Sequence, residues 1–220
     1  MTSDEVTRYY AARADVYDET AGYFEEEAEV LREPIKARYR ELFKDRDVLE
    51  VACGSGYWTR VLGETAASVF AFDINMEILQ KAVERCAGLS NMTFRIADAY
   101  TFLGVPTGFD AAVAIFWYSH IPKANIRQFL NALCGVLAPG ALVMFCDQLP
   151  YEPAVRVTDE HGDVLEERTL PDGRTFSVIK NFPTEDELRT AITPFGEDIV
   201  YSVNTAKGNW EVVWRVKERE

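Results

Sequence analysis

The stretch Val48-Leu49-Glu50-Val51-Ala52-Cys53-Gly54-Ser55-Gly56-Tyr57-Trp58-Thr59 leaves this chain few folds to choose from. Asp47 to Val51 is a short apolar run rich in Val and Leu, as expected of a buried strand. Gly54 and Gly56 can turn the backbone sharply because no Cβ stands in the way. Tyr57 to Glu64 then suits a helix. A strand, a glycine turn and a helix start form a nucleotide cradle, since the first helical turn offers unpaired N–H groups and a positive dipole end. The acidic residues nearby decide what the cradle holds.

The same alternation continues to Leu149. Ala67 to Asp73 reads as a second strand, and Asn75 can cap a helix whose inner stripe is Met76, Leu79, Ala82, Val83 and Cys86. Met92 to Ala97 is a third strand, ending at Asp98. Phe109 to Phe116 is a fourth, and its nearly unbroken apolar character predicts a sheet covered on both faces. Pro122 opens a helix faced by Ile126, Phe129, Leu130, Leu133 and Leu137, Pro139-Gly140 stops it, and Ala141 to Cys146 is a fifth strand. Strands separated by helices predict an α/β chain with a doubly wound parallel sheet.

Both flanks depart from this rhythm. Residues 3–17 fit a short amphipathic helix with Val6, Tyr9 or Tyr10, Ala14 and Tyr17 on one side. A second helix carries Ala28, Leu31, Ile35, Tyr39 and Leu42, with a break expected at Pro34 and a solvated face at Glu25-Glu26-Glu27. Residues 1–45 are thus expected as a helical cap and 46–220 as the core. After Leu149, within an insert over about residues 150–182, Glu166–Leu170 and Arg174–Ile179 form a hairpin around Pro171-Asp172-Gly173. Thr184-Glu185-Asp186-Glu187 is a capping box. Ile199–Asn204 and Trp210–Val216 close the chain as antiparallel strands.

Composition narrows the function. A formal net charge of −13 argues against nucleic acid, whose phosphates need clustered Lys and Arg. No apolar run approaches the roughly 20 residues of a membrane helix, and Met1-Thr2-Ser3-Asp4-Glu5 does not read as an export signal. Four cysteines without Cys-x-x-Cys spacing point to reduced thiols in a cytoplasm. Two histidines, His120 and His161, make a histidine-based metal site improbable, and no metal is expected.

The ligand is decided by three acids. A dinucleotide fingerprint requires a third glycine where Thr59 stands, so that match fails. Glu50 lies in the first strand just before the turn, while Asp73 and Asp98 end the second and third. All three are expected at the carboxyl edge of the sheet, where open α/β folds bind ligands. Asp73 can accept both hydroxyls of a ribose. Asp98, with the Ala99 N–H beside it, can meet an adenine. Glu50 suits a cationic amino acid end.

These residues resemble the motifs of the class I S-adenosylmethionine-dependent methyltransferases. Glu50-Val51-Ala52-Cys53-Gly54-Ser55-Gly56 is similar to their acid-x-G-x-G-x-G turn, with Ala52 for the first glycine. Phe70–Asn75, Arg95–Ala99, Phe109–Val113 and Leu137–Leu142 resemble the motifs that follow, in order and spacing, over about residues 46–147. The resemblance implies a Rossmann-like, seven-stranded, mostly parallel sheet with a helical cap and a hairpin insert after the fifth strand. It implies S-adenosylmethionine as cofactor and S-adenosylhomocysteine as product. Cofactor contacts are expected at Tyr17, Glu50, Ala52, Gly54, Gly56, Trp58, Asp73, Ile74, Asp98, Ala99 and Phe116. Ile74 would pack on adenine, Phe116 would lie near the sulfonium, and Tyr17 of the Tyr-rich entry helix would reach the cofactor carboxylate.

Methyl transfer from a sulfonium is an in-line displacement in which the enzyme aligns the reactants and excludes water. A hydroxyl acceptor also needs a base, and His120, after Phe116-Trp117-Tyr118-Ser119, is the candidate. The same run lacks the Asn/Asp-Pro-Pro-aromatic pattern of base-amino methylases, so a small-molecule acceptor is expected, held between the helical cap, the insert at about 150–182 and this aromatic mouth, and the acidic balance allows a cationic or amine acceptor. Two alternatives stay open: aminopropyl transfer on the same fold, and a non-catalytic module that keeps the cofactor as ligand. Oligomeric state is not legible.

Overall fold

The computed structural model describes residues 3–152 and 155–218, with Ser3, Asp4, Glu26, Ala28 and Ala206 in backbone only. Ala28, expected on an apolar stripe, therefore lies outside the described side chains.

Three helices come first: α1 (Ser3–Arg13), α2 (Tyr17–Thr20) and α3 (Glu26–Leu42), with a 3-10 turn at Ala14–Val16 between the first two. The single helix expected over residues 3–17 is thus broken at Ala14. The break expected at Pro34 is absent, and α3 runs through it. Pro34 and Val30 are both exposed, so water can take the Val30 carbonyl that the missing N–H leaves free.

The core follows as β1 (Asp47–Val51), α4 (Tyr57–Gly63), β2 (Ser68–Asp73), α5 (Met76–Arg85), β3 (Met92–Ile96), β4 (Phe109–Ile115), α6 (Ile126–Val136) and β5 (Leu137–Gln148). The chain then forms β6 (Arg156–Thr158), β7 (Val164–Thr169), β8 (Thr175–Ile179), α7 (Glu185–Ile192), β9 (Gly196–Asn204) and β10 (Asn209–Val216). One sheet has the order β3-β2-β1-β4-β5-β10-β9. Its first five strands are parallel, and β10 runs antiparallel to both neighbours. The strand order reverses between β1 and β4, which opens a crevice at their carboxyl ends.

Strand alternation divides the interior. Leu49 and Val51 of β1 pack with Phe72, Phe129, Phe145 and Trp214 on one face, while Val48 packs with Leu62, Val69 and Met144 on the other. Tyr39 and Phe43 at the end of α3 join the second face. On α5 the buried residues are Ile78, Leu79, Ala82 and Cys86, whereas Met76 and Val83 of the expected stripe are exposed. Asn75 stands at the N-cap of α5 but its side chain does not cap. The Thr184–Glu187 capping box is formed.

The expected hairpin is β7 and β8, and β6 adds a third strand beside β7. A separate apolar cluster joins Val6 and Tyr9 of α1 to Leu165, Leu170, Val178 and Ile179 of this small sheet. The N-terminal helix therefore rests on the insert as well as over the core.

Candidate functional site

The floor of the site is made of strand ends. After β1 the chain turns through Gly54, at φ +56°, and Gly56, at φ +77°. The two glycines serve different needs. A Cβ on Gly56 would stand 2.7 Å from the Ala82 Cα, so glycine there lets α4 lie close to α5. A Cβ on Gly54 would meet nothing nearer than the Tyr17 hydroxyl, 3.4 Å away, because that side opens on a cleft. Ala52, at φ +53°, and Phe116, at φ +58°, adopt the left-handed conformation without being glycine. Both follow neighbouring parallel strands and both line the cleft. Such a conformation costs roughly 1–2 kcal/mol per residue, and strain of this kind gathers at ligand sites.

Nine of the expected residues line this one cleft: Tyr17, Ala52, Gly54, Asp73, Ile74, Asp98, Ala99, Phe116 and His120. Asp73 accepts the Gly54 N–H at 3.1 Å and the Asn75 N–H at 2.9 Å, which ties the end of β2 to the glycine turn. Burial pushes its carboxyl above the ordinary value, and these N–H groups oppose the shift. Asp98 accepts the Tyr100 N–H at 2.7 Å. Each carboxylate keeps lone pairs for a ligand. Ile74 is 47% exposed at the rim, an apolar surface for a flat ring.

Three expected residues stand elsewhere. Gly56 lies beneath the turn, against α5. Glu50 is not on the cleft wall. Alternation along β1 puts it on the Val48 face, toward Thr59 of α4. It is 2% exposed, its Oε2 has no hydrogen-bond partner among the described residues, and burial pushes its carboxyl up to about 8 against the opposing effect of Thr59. A neutral, enclosed carboxyl is a different object from the exposed carboxylate expected for a cationic ligand end. Trp58 packs between Tyr39 and Tyr57 and lines a second chamber next to the cleft.

Tyr10, Tyr17, Phe116 and His120 line both spaces and so form the passage between them. The N-terminal segment is fastened over this passage: Asp18 receives the Ser55 hydroxyl at 2.5 Å and pairs with Arg85 at 2.6 Å. The second chamber is lined by Arg13, Arg32, Arg168, Lys180 and Lys207, with no carboxylate among its described lining residues. Lys180 pairs with Asp147 at 2.9 Å, and Arg168 pairs with Glu166 at 2.9 Å. The Nζ of Lys207 is enclosed and has no partner among the described residues. Apart from Trp58, Tyr17, Phe116 and His120, no residue of this chamber was expected as a site residue, though Tyr9, Tyr10, Leu31 and Ile35 were expected on helix faces.

His120 is 4% exposed. Its Nδ1 lies 2.6 Å from the Ile179 carbonyl and its Nε2 2.8 Å from the Tyr10 hydroxyl. A carbonyl can only accept, so Nδ1 carries the proton and Nε2 receives the one from Tyr10. Burial, Lys180 and Arg168 all hold the imidazole well below its ordinary range of protonation. His120 is therefore a neutral ring, the form a general base requires, with its Nε2 lone pair engaged by the Tyr10 hydroxyl.

Known proteins share this fold and its cofactor. Residues 48–140 match a family model described as a methyltransferase domain. A demethylmenaquinone methyltransferase of Tropheryma whipplei strain Twist is 34% identical over 102 residues, 46% of this chain and 41% of that protein. The chain thus spans about two fifths of the length of that curated relative. A solved complex of DhpI with SAH superposes with a TM-score of 0.74 at 32% identity, covering 99% of this chain and 98% of that one. A second DhpI complex, with SAM and HEP, gives 0.74 at 30% identity over 96% of each chain.

Proposed function

Because this chain belongs to the class I S-adenosylmethionine-dependent methyltransferases, we propose that it methylates a small acceptor bearing an oxyanion, held in the cationic chamber beyond Phe116. S-adenosylmethionine is the cofactor, and when bound it supplies a methyl group made electrophilic by a sulfonium. The cleft fits it. Asp73 has lone pairs free for ribose hydroxyls, Asp98 and Ala99 stand where an adenine edge would be met, and Gly54 leaves room that a Cβ would fill. Tyr17 closes the top of the cleft against the glycine turn.

The observation that carries the acceptor class is the charge of the second chamber. Five cations line it in a chain of net charge −13, and of these five only Arg168 and Lys180 have a carboxylate partner among the described residues. Opposite charge in a partly enclosed chamber is worth far more than in water. Arg168 is the anchor on this reading, because its Nη atoms make only long contacts and can fork to an oxyanion. An acceptor that arrives as an anion needs no base, which suits a site whose histidine lone pair is engaged by Tyr10. Demethylmenaquinone methyltransferase, the relative matched over part of its length, does not decide the acceptor here.

The test is formation of S-adenosylhomocysteine across amines, thiols, neutral alcohols, phenols, carboxylic acids and phosphorus oxyacids, with the ionic strength varied. Oxyacids are expected to turn over and to weaken with salt. Turnover confined to amines or neutral alcohols would sink the acceptor class. Preference for the decarboxylated cofactor would point to aminopropyl transfer. Tight cofactor binding with no turnover of any class would point to a binding module.

A further inference from the structure

The histidine at the passage is buried, the tyrosine half-buried, and the two are bonded to each other and left without a part in a base-free transfer. We propose that Tyr10 and His120 are positioning residues that aim the Arg168 guanidinium at the acceptor. The inference rests on the reading of Arg168 as the acceptor's anchor.

The geometry forms a directed chain. The Ile179 carbonyl of β8 takes the Nδ1 proton of His120. Nε2 then has only a lone pair to offer, and the Tyr10 hydroxyl of α1 donates to it at 2.8 Å. With its one proton committed, Tyr10 presents lone pairs to its other neighbour, Arg168 Nη1, at 3.5 Å. The opposite side of the guanidinium repeats the arrangement. Tyr151 donates its proton to Glu166 Oε1 at 2.7 Å and offers lone pairs to Arg168 Nη2 at 3.5 Å. Glu166 takes the Arg168 Nε at 2.9 Å, and the Tyr9 ring lies 5.5 Å from the guanidinium carbon. One edge of Arg168 is thus fixed by a short charged bond. Two tyrosine oxygens, both polarised to accept, steer the other groups while leaving N–H protons for a ligand.

The chain works in one protonation state. The charged and titratable groups facing His120 are Tyr10 from α1, Arg168 from β7, Lys180 beyond β8 and Asp147 from β5. A proton on Nε2 would make it a donor to Tyr10. Tyr10 would then have to turn its own proton elsewhere, toward Arg168, and donor would face donor. Lys180 and Arg168 oppose that protonation, and Asp147, already paired with Lys180 at 2.9 Å, offsets it only in part. With the ring held below its ordinary range of protonation, acceptor affinity is expected to fall only under more acid conditions.

Three variants of the full chain test this. Y10F and H120F each raise the acceptor KM about tenfold, the loss of one bond steering a charged group, with a smaller change in S-adenosylhomocysteine affinity. H120Q recovers most of the loss, since its amide can donate to Ile179 and accept from Tyr10 while being unable to serve as a base. Nitrogen-15 spectra of His120 read the Nδ1–H tautomer at neutral pH with no acceptor present. An Nε2–H tautomer, a Y10F variant with unchanged KM, or an H120Q variant that loses kcat while keeping KM would each overturn the relay. A wild-type enzyme with no preference for oxyanions would instead overturn the functional reading, and the spectra would still report on the hydrogen-bond chain.

Discussion

The two chambers share a passage but are built in opposite ways. The cofactor cleft is written mostly by consecutive strand ends between Ala52 and His120, with α1 and Tyr17 laid over it. The acceptor chamber joins parts that are remote in sequence: Tyr10 and Arg168 are separated by 158 residues and Tyr10 and His120 by 110. One half of the site follows from a repeated local unit, the other from how an N-terminal helix and an inserted sheet are folded over it. The two halves should therefore fail separately under mutation.

The largest effect is expected in the chamber. Arg168→Gln should lower kcat/KM for an oxyanion acceptor by about 100- to 1,000-fold, roughly 3–4 kcal/mol, the range for removing one member of a buried charged contact. S-adenosylhomocysteine affinity, read by calorimetry, should stay within about twofold. A comparable loss in cofactor binding would show that the chambers are one energetic unit.

Next comes Glu50, which belongs to the cleft by sequence and to the core by structure. Its folded carboxyl titrates at about 8 against an ordinary 4.5. The unfolded chain releases this proton first, so stability falls as pH rises from 4.5 to 8 and is flat beyond. Glu50→Gln should remove that slope and raise the stability of the cofactor-free protein on the order of 3 kcal/mol at neutral pH. Denaturant melts at several pH values read it. A variant that is no more stable, and that loses cofactor affinity, would return Glu50 to the ligand.

Asp73→Ala addresses the cleft itself. Loss of a buried, charge-assisted contact should weaken S-adenosylhomocysteine by at least tenfold, about 1.4 kcal/mol, and leave the order of acceptor preference intact. Unchanged affinity would mean that the ribose is held by another group.

What could be read in advance follows the same division. Asp73 and Asp98 were legible because the end of a parallel strand is a fixed place in this fold, and an acid there has one edge to face. Glu50 was expected on the cleft from its position along the strand, without its parity. With Leu49 and Val51 on one face, residue 50 turns with Val48 into the opposite layer. Arg168 sits in the β7–β8 hairpin and Lys180 just past it, in a charged stretch of a kind that otherwise marks a solvated surface. The docking of α1 on that hairpin, through Val6 and Tyr9, covers Arg168, Lys180 is enclosed against Ser119 and Asp147, and no local periodicity encodes contacts between segments so far apart in the chain.

The smallest effect sharpens the cleft side most finely. Ala52 stands where the family motif has its first glycine, and the sequence offers side-chain volume as the only cost of the change. The structure identifies a different cost: φ is +53°, a conformation that a Cβ opposes by roughly 1–2 kcal/mol. Ala52→Gly would relieve this, but glycine also widens the unfolded ensemble by about 0.4–1 kcal/mol. The two terms nearly cancel, so the melting midpoint should move by no more than about 1 kcal/mol in either direction, with cofactor affinity held within about twofold. A gain well beyond that range would mean that the strain at the end of β1 is larger than backbone conformation alone accounts for. The methyl group of Ala52 would then be pressing on the cleft, and cofactor affinity should rise in the same variant.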